Sequence, residues 1–429
     1  MAEIREFPGI IYDVAKAGPI GDLVCPPYDV ISPEQQERYY EASPYNVIRI
    51  ELGKEFPGDT ETENKYTRAA AFLETWLRDG ILVTDTPSLY LYLQDFEWDG
   101  RRYSRPGVVG AVRLHEFSER VILPHEKTLS KPKEDRFNLM KATRANVSHI
   151  FGFFSDATGR ARQAIEKARR TEPLFSFVDD DGVTHSLFRI PEEAAATIKD
   201  ALASERIFIA DGHHRYETAL RYRATMRETL GTDAEGPWDF VMMTVVPVEA
   251  DLLVLPIHRT VRLPEALSDS ALLEKLEPYF DIRIQCGPAH LREALANEVD
   301  THVFGMITRT GEYVLALKQE HVSGATAAGT GKGLSPLETL PSNLLQRFAF
   351  ERALGIALAD LESVVSFTSD FTEAQARAKA DPRAVSFILK PVSVETIKDV
   401  SLNLETMPQK TTYFYPKVWT GLVMRRLED

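Results

Sequence analysis

Cysteine is scarce in this chain of 429 residues: only Cys25 and Cys286 occur, far apart and outside any CxxC spacing. A disulfide framework and a cysteine-based zinc site are therefore excluded, and the composition fits a reducing cytoplasm. Positive charge is also in deficit, because 50 Lys and Arg face 64 Asp and Glu, which leaves a formal net charge of −14. This balance disfavours a protein that binds by neutralising nucleic-acid phosphates. We expect no nucleic-acid partner, and we expect any anion site to be local.

Long hydrophobic runs are missing as well. The first residues mix Glu3, Arg5 and Glu6 with apolar side chains and contain no signal-peptide core. The apolar stretches further along have the length of strands and fall short of the ~20 residues that a membrane span needs. We therefore expect a cytoplasmic protein with no membrane partner. Apolar residues at 44% and charged residues at 27% are typical of a folded globular chain.

Several familiar catalytic motifs are absent. The sequence contains no GxSxG and no HExxH, which excludes the hydrolases that depend on them. The Gly-rich stretch 323–333 is not a P-loop, because Gly333 follows Lys332 and Thr326 stands where the first Gly of that motif belongs. Its small residues favour a connector between domains or elements instead.

Helical and strand patterns alternate along the chain, and its length predicts two or three domains of the mixed α/β class. We divide it into an N-terminal α/β region 1–156, a central region 157–262 and a C-terminal α/β region 263–429 that holds the connector. Capping patterns predict helices that begin after Ser32 and at Thr60, the second running to Asp79. The β-branched run 46–52 predicts a strand.

The segment Asp211-Gly212-His213-His214-Arg215 carries the strongest chemical signal. A short buried strand precedes it, and a helical pattern runs from about His213 to Leu230. Three cationic side chains in the first turn oppose the positive end of the helix dipole, at a cost of ~0.3–1 kcal/mol per charge unless an anion is bound. Backbone N–H groups, Gly212 and the forked Arg215 would suit a phosphate or carboxylate. Asp211 could fix a histidine tautomer or hold a metal; the alternative is a capped helix with solvated side chains.

Two further segments carry candidate residues. Glu126, in Leu123-Pro124-His125-Glu126-Lys127-Thr128, follows a strand pattern and could act as a general base or bind Mg²⁺, although a charged surface loop is the alternative. Lys410, in the extended segment 407–417, could neutralise a phosphate, although an aromatic strand bounded by Pro usually serves packing.

The Asp211–Arg215 segment resembles the DGHHR motif of archaeal free L-serine kinases, whose catalytic core has the ParB/sulfiredoxin superfold. Leu123-Pro124-His125-Glu126 resembles the segment that supplies the catalytic glutamate of those kinases. The longer chain between Glu126 and Asp211 implies a large insertion. Sulfiredoxin chemistry itself is excluded, because His213 stands where the reactive cysteine would be.

Over nearly its whole length the chain also resembles domain-of-unknown-function family 1015, whose members have been linked to serine phosphorylation. The matching segments are Pro26–Ile31, Tyr45–Arg49, His125-Glu126, Asp135-Arg136, Asp211–Arg215, Pro256–Arg259 and Met407–Lys417, with Thr411 in place of an expected Ser. The implied fold is a ParB/sulfiredoxin-like core with large insertions and additional α/β subdomains.

The resemblance implies an enzyme that forms O-phospho-L-serine from free L-serine, with ATP, ADP or pyrophosphate as donor and Mg²⁺ as cofactor. Glu126 would be the general base, acting with Asp211 and His214. The remaining assignments are phosphate binding by Gly212, His213, His214, Arg215 and Lys410, substrate binding by His125, Thr128 and Arg136, and metal binding by Asp211. A ParB-like nucleotide- or nucleic-acid-binding regulator and a metal-dependent phosphoserine phosphatase are the alternatives. The donor and the oligomeric state stay open.

Overall fold

A computed structural model describes residues 1–128, 130–285, 287–298, 302–324, 335–357 and 360–428. The chain forms two compact units. The first comprises Met1–Pro124, Thr128–Leu253 and Pro416–Asp429, and the second comprises His125–Lys127 and Val254–Tyr415. The predicted boundary at residue 156 falls within the first unit. The predicted boundary at residue 262 falls within the second unit, whose longer segment begins after Leu253. The division into three regions stays a prediction. Cys286 and residues 325–334, most of the Gly-rich connector, lie outside the described residues.

The helices occur in both units. Those of the first unit are α1 Val14–Ala17, α2 Pro33–Ala42, α3 Ile48–Glu51, α4 Lys65–Arg78, α5 Ser130–Thr143, α6 Arg160–Ala168, α7 Glu192–Leu202 and α8 His213–Leu230. Those of the second are α9 Asp269–Leu276, α10 Pro288–Asn297, α11 Gln319–Gly324, α12 Pro341–Leu345 followed by the π-helical segment Gln346–Ala353, α13 Leu361–Val364, α14 Phe371–Ala380 and α15 Val394–Leu402.

The first unit is built on a nine-stranded mixed sheet in the order β6-β11-β8-β12-β5-β4-β10-β9, with β1 also paired to β5. Its strands are β1 Ile4–Arg5, β4 Tyr90–Trp98, β5 Arg101–Arg113, β6 Ile122–Leu123, β8 Ile150–Phe154, β9 Phe175–Val178, β10 Thr184–Arg189, β11 Ile207–Asp211 and β12 Phe240–Pro247. A smaller sheet has the order β3-β2-β21-β7. It is formed by β2 Phe7–Tyr12, β3 Leu82–Ser88, β7 Ala145–Asn146 and β21 Met424–Arg426.

The second unit has a six-stranded sheet in the order β15-β17-β16-β19-β14-β18. Its strands are β14 His258–Arg262, β15 Phe280–Gln285, β16 Val303–Ile307, β17 Glu312–Leu317, β18 Val365–Thr368 and β19 Ala384–Ile388. In addition β13, Leu253–Leu255, in which this unit begins, pairs with β20, Tyr413–Tyr415. The mixed α/β class predicted from the sequence is thus confirmed.

Each unit has its own apolar core. In the first, buried residues of β8, β11 and β12 pack with the inner faces of α6, α7 and α8, and Tyr216 of α8 is fully buried among them. In the second, Phe304, Phe348 and Phe387 belong to a separate cluster. The core of the first unit fixes the strand β11 and the helix α8, which flank the Asp211–Arg215 turn.

The predicted strand at 46–52 is wrong, because residues Ile48–Glu51 form the short helix α3. The buried side chain of Asn46 accepts a hydrogen bond from the Ile48 amide at 2.8 Å and donates to the carbonyls of Asp22 and Val24. This local turn overrides the strand preference of the β-branched residues around it.

The predicted helix at Thr60 begins later than expected. Asn64 caps α4 in a reciprocal capping box with Thr67, while Thr60 closes the preceding turn by accepting from the Glu63 amide. The Ser32 capping box of α2 and the helix His213–Leu230 are confirmed.

Candidate functional site

The Asp211–Arg215 turn begins at an irregularity in β11. Ile209 pairs with Gly152 of β8, but Asp211 pairs with Phe151, so the register shifts at this point. A β-bulge bends the strand and redirects the side chain that follows it. Gly212 then caps α8 with a φ of 90°, in the left-handed region. The bulge and the glycine together place the N-terminus of α8 directly after Asp211.

Asp211 forms a partly buried ion pair with Lys417, whose Nζ lies 3.0 Å from the Asp211 Oδ2. The other carboxylate oxygen accepts from the Gly212 amide at 2.7 Å. Burial alone would raise the pKa of Asp211, but the charges of Lys417 and Arg215 hold it well below its usual range. Asp211 is therefore an anion in the folded protein. Lys417 is the residue that sequence reasoning missed: it ends the segment 407–417, from which Lys410 was selected.

Arg215 is buried beneath the turn. Its Nη1 donates to the backbone carbonyl of His149, and its Nη2 lies 3.9 Å from the Asp211 Oδ1. A Cβ on Gly212 would approach the Arg215 Nε to 3.0 Å, so the guanidinium packs closely against the glycine. In this arrangement Arg215 supports the turn from the interior, and its predicted phosphate contact stays a prediction.

A cavity of about 30 Å³ lies next to Arg215 within the first unit, enough for a water molecule. Glu51, only 1% exposed, lines it together with Arg136, Ser148 and Thr218. Burial raises the pKa of the Glu51 carboxyl, and the charges of Arg136 and Arg215 offset this only in part. A second acidic group, Glu51, thus lies in the interior at the cavity next to Arg215.

Arg136, a predicted substrate ligand, is buried at this cavity. Its Nη1 donates to the Glu51 carbonyl at 2.9 Å, and its Nε donates to Asp135 at 2.8 Å. The guanidinium also stacks 4.0 Å from the ring centroid of Tyr28. Burial opposes ionisation of Asp135, yet Arg136 and Lys65 lower its pKa to about 2. These contacts link the Pro26–Ile31 and Asp135-Arg136 segments as one structural network.

A partly buried side of the first α8 turns carries further polar groups. Glu217 accepts from the Thr128 hydroxyl at 2.8 Å and from Lys133 at 2.7 Å. Burial lowers the pKa of His214, and Glu217 opposes this effect. His213 is buried. The structure therefore brings Thr128, a predicted substrate ligand, to the helix that carries His214.

The His125–Lys127 segment belongs to the second unit, where backbone contacts hold it to the chain around Met407. The Met407 amide donates to the His125 carbonyl at 2.7 Å, and the Lys127 amide donates to the Met407 carbonyl at 3.3 Å. Glu126 and Met407 form an isolated parallel bridge. His125, 1% exposed, places its Nε2 3.0 Å from the Thr412 hydroxyl.

Lys410 lies in the turn between these contacts. Its φ of 56° is in the left-handed region, which is uncommon for a residue with a side chain and often marks functional turns. Thr411, next to it, donates to the Pro408 carbonyl at 2.7 Å. The substitution of Thr for the expected Ser thus keeps a hydroxyl that stabilises the turn.

The predicted Mg²⁺ ligand Asp211 is engaged within the folded chain, and its metal role stays a prediction. Both oxygens of its carboxylate already have partners, Lys417 and the Gly212 amide. Across the part of the chain that the structure describes, no group of three or more His, Cys, Asp or Glu side chains is arranged to hold a metal. In phosphate-transferring sites Mg²⁺ is usually bound by one or two carboxylates together with substrate phosphates and water, and Asp211 would supply one such carboxylate.

The family model described as "Protein of unknown function (DUF1015)" matches residues 4–341, and the chain belongs to this family. Among curated proteins there is no significant sequence match. Within the described residues, no helix has the length and apolar character needed to cross a membrane.

Solved structures similar to this chain include a C-terminally truncated SbnI from Staphylococcus aureus, at 12% identity and a TM-score of 0.36, covering 73% of this chain and 85% of that one. A free serine kinase in complex with AMP is similar at 12% identity and a TM-score of 0.33, covering 74% and 92%. A conserved hypothetical protein from Pyrococcus furiosus is similar at 13% identity and a TM-score of 0.33, covering 73% and 92%.

Proposed function

We propose that this chain is a phosphotransferase that phosphorylates free L-serine to O-phospho-L-serine. Its N-terminal α8 turn, from Gly212 to Arg215, would bind the transferring phosphoryl group, and Glu126 would be the general base. ATP, ADP and pyrophosphate are the candidate donors. The acceptor follows from the resemblance of the Asp211–Arg215 and His125-Glu126 segments to free serine kinases.

The observation that carries the proposal is the construction of the turn at β11 and α8. Gly212 has no side chain that could cap the helix, and the structure gives α8 no side-chain cap. The first amides of a helix point towards an anion placed at its N-terminus. Lys417 and Arg215 neutralise Asp211 from two sides, which leaves the first turn of α8 favourable for a phosphate.

The proposed step can be written with its atoms balanced. The serine Oγ forms a bond to the phosphorus, the bond from that phosphorus to the donor's bridging oxygen breaks, and the donor leaves with the bond's electron pair. Glu126 accepts the hydroxyl proton as a general base. The helix amides and the cationic side chains near them stabilise charge on the phosphoryl oxygens, which is the main task in phosphoryl transfer.

Lys410 is proposed as a further phosphate ligand, because its turn is held by Thr411 and presents an exposed cationic side chain. His125 is proposed as a positioning residue for Glu126, since its ring is fixed by Thr412. Thr128 and Arg136 are proposed as ligands of the acceptor serine. Thr128 is half-buried. Arg136 is buried and would act from within the interior.

The test is formation of phosphoserine from serine with ATP, ADP or pyrophosphate, each with Mg²⁺ and with EDTA. We expect product with at least one donor, and we expect Glu126→Gln to lower its rate at least ~100-fold, as loss of a general base does. Glu134→Gln is the matched control, because Glu134 is exposed and its partner is the surface residue Arg221. Equal loss in both variants would contradict the role of Glu126.

The same assay separates the alternatives. If the protein is a phosphatase, incubation with phosphoserine alone will release inorganic phosphate. If it is a kinase, phosphoserine will stay intact, because no acceptor for its phosphoryl group is present. A gel shift with duplex DNA at moderate salt tests the regulator hypothesis. Absence of phosphoserine with all three donors would overturn the proposal.

A further inference from the structure

Glu51 carries a carboxyl group that is buried in the first unit without hydrogen bonds. It is the last residue of α3, and its side chain is fully buried. Among the described residues, neither of its carboxyl oxygens has a hydrogen-bond partner. The Arg136 Nη1 lies 3.4 Å from the Glu51 Oε1 and donates instead to the Glu51 backbone carbonyl at 2.9 Å. Ser148 and the backbone of Tyr28 lower the pKa of this carboxyl by less than Arg136 does, and neither forms a hydrogen bond with it.

Another buried carboxylate of the same unit is fully satisfied. Asp239, 3% exposed, accepts from the Arg227 Nη2 at 2.5 Å with one oxygen and from the Gly236 amide at 2.9 Å with the other. A buried carboxyl group without such partners is costly, because its lost hydration is not replaced. Glu51 is therefore a group whose cost a bound polar molecule would offset.

The cavity that Glu51 lines fits one small polar molecule. Its volume of about 30 Å³ has room for a water molecule, which needs two to four polar partners. Arg136, Arg215, Ser148 and Thr218 also line it. A cation there would meet two guanidinium groups, and an anion would meet the carboxylate. Water both donates and accepts hydrogen bonds, so it satisfies Glu51 in either protonation state.

The same cavity borders the support of the α8 turn. Arg215 lies in its wall, and the Arg215 Nη1 donates to the His149 carbonyl. The guanidinium also packs against the backbone of the turn, since a Cβ on Gly212 would approach the Arg215 Nε to 3.0 Å. A group that fixes the guanidinium from the cavity therefore also restrains the backbone of Gly212. Binding sites depend on such supporting contacts to keep their ligands in place.

We propose that this cavity binds one buried water molecule, which hydrogen-bonds to Glu51, and that Glu51 is thereby a positioning residue for Arg215 beneath the phosphate-binding turn. The positioning role rests on the proposed function of that turn. The water site depends only on the cavity and on the buried carboxyl group.

The water site is tested by a high-resolution crystal structure of the full-length protein. We expect one density peak within about 3.2 Å of a Glu51 carboxyl oxygen and of a second polar group of the cavity wall. A second crystal soaked in sodium bromide should give no anomalous peak at this position. Lack of density in the cavity would overturn the proposal. A bromide peak would do so too, because it would assign the cavity to an anion.

The positioning role is tested by calorimetric titration of three full-length variants with pyrophosphate. Glu51→Met removes both carboxyl oxygens and should weaken binding at least ~5-fold, the range expected for the loss of a hydrogen bond. Glu51→Gln keeps an acceptor for the water molecule and should stay within ~2-fold of the wild type. Asp239→Asn is the matched control: it changes a buried carboxylate of the same unit that does not line the cavity, and it should leave the affinity unchanged.

Thermal unfolding of each variant accompanies the titrations. Affinity of Glu51→Met within ~2-fold of the wild type would overturn the positioning role. An equal loss in Asp239→Asn would also overturn it, because the effect would then follow from lower stability alone. A Glu51→Met protein that does not fold would assign Glu51 to the fold itself, with the same consequence. So would a wild-type protein that does not bind pyrophosphate.

The outcome is separable from the proposed function. If no donor yields phosphoserine but pyrophosphate binding still depends on Glu51, the kinase proposal fails and the positioning role stands. If phosphoserine forms and Glu51→Met binds pyrophosphate normally, the positioning role fails and the kinase proposal stands.

Discussion

The Asp211–Arg215 turn and the His125–Lys127 segment are constructed in opposite ways. The turn depends on charged side chains: the partly buried Asp211 is held by Lys417 and lies near the buried Arg215. The His125–Lys127 segment is held by backbone hydrogen bonds to Met407, and the His125 ring contacts the Thr412 hydroxyl. Charge pairs make the first region sensitive to the loss of one partner, whereas the second should lose stability in small steps.

The largest expected effect is at the ion pair of the turn. Lys417→Met leaves the partly buried Asp211 carboxylate without its closest cation, which should cost ~1–3 kcal/mol of unfolding free energy and remove phosphoserine formation. Denaturant unfolding and the kinase assay measure the two effects. The double variant with Asp211→Asn should recover part of the stability, giving a coupling energy in the cycle. Additive losses would show that the pair does not act as a unit.

A smaller effect is expected at Gly212. Gly212→Ala forces a side chain into a φ of 90° and against the Arg215 Nε at 3.0 Å. We expect a loss of ~1–2 kcal/mol together with weaker phosphate binding, measured by unfolding and by titration. Gly231→Ala, at the other end of α8, is the matched control, because its φ is 62° and a Cβ there meets no atom within 4 Å. Equal phosphate affinity in both variants would contradict the role of the turn.

The pH dependence of stability tests the interior behind the turn. Burial and the Arg215 charge lower the pKa of His149 to about 3, below its ordinary value of 6.5. At pH values between 6.5 and about 3, His149 binds a proton in the unfolded chain but not in the folded chain. Protonation therefore favours unfolding, and the free energy of unfolding decreases as the pH falls through this range. Urea unfolding at pH 7, 5 and 4 should show a shallower decline in His149→Gln.

The smallest effect is expected in the backbone-held region. Thr412→Val removes the hydroxyl 3.0 Å from the His125 Nε2 and should cost ~1 kcal/mol. If His125 positions Glu126, kcat for phosphoserine formation should fall while the KM for the donor stays constant. A loss of several kcal/mol here would show that the two regions do not differ as described.

Much of the turn was predictable because its signals are local. The helical pattern that follows Asp211-Gly212 predicted a helix from about His213 to Leu230, and the structure has the same bounds. The α3 helix was not predictable from propensity, because the buried contacts of Asn46 with Asp22 and Val24 decide it. The choice of Lys410 over Lys417 had the same origin: both lie in one segment, and only the folded chain shows which lysine pairs with Asp211.

The sequence by itself determined the class of fold, the family segments and the chemical character of the Asp211–Arg215 turn, since these depend on residue types at short spacing. The tertiary structure decided which charges meet: Asp211 is paired with Lys417, and Arg136 lies 3.4 Å from the buried Glu51 carboxylate. The physical reason is that ion pairing and burial depend on distances between residues far apart in the chain. Spacing along the sequence does not specify those distances.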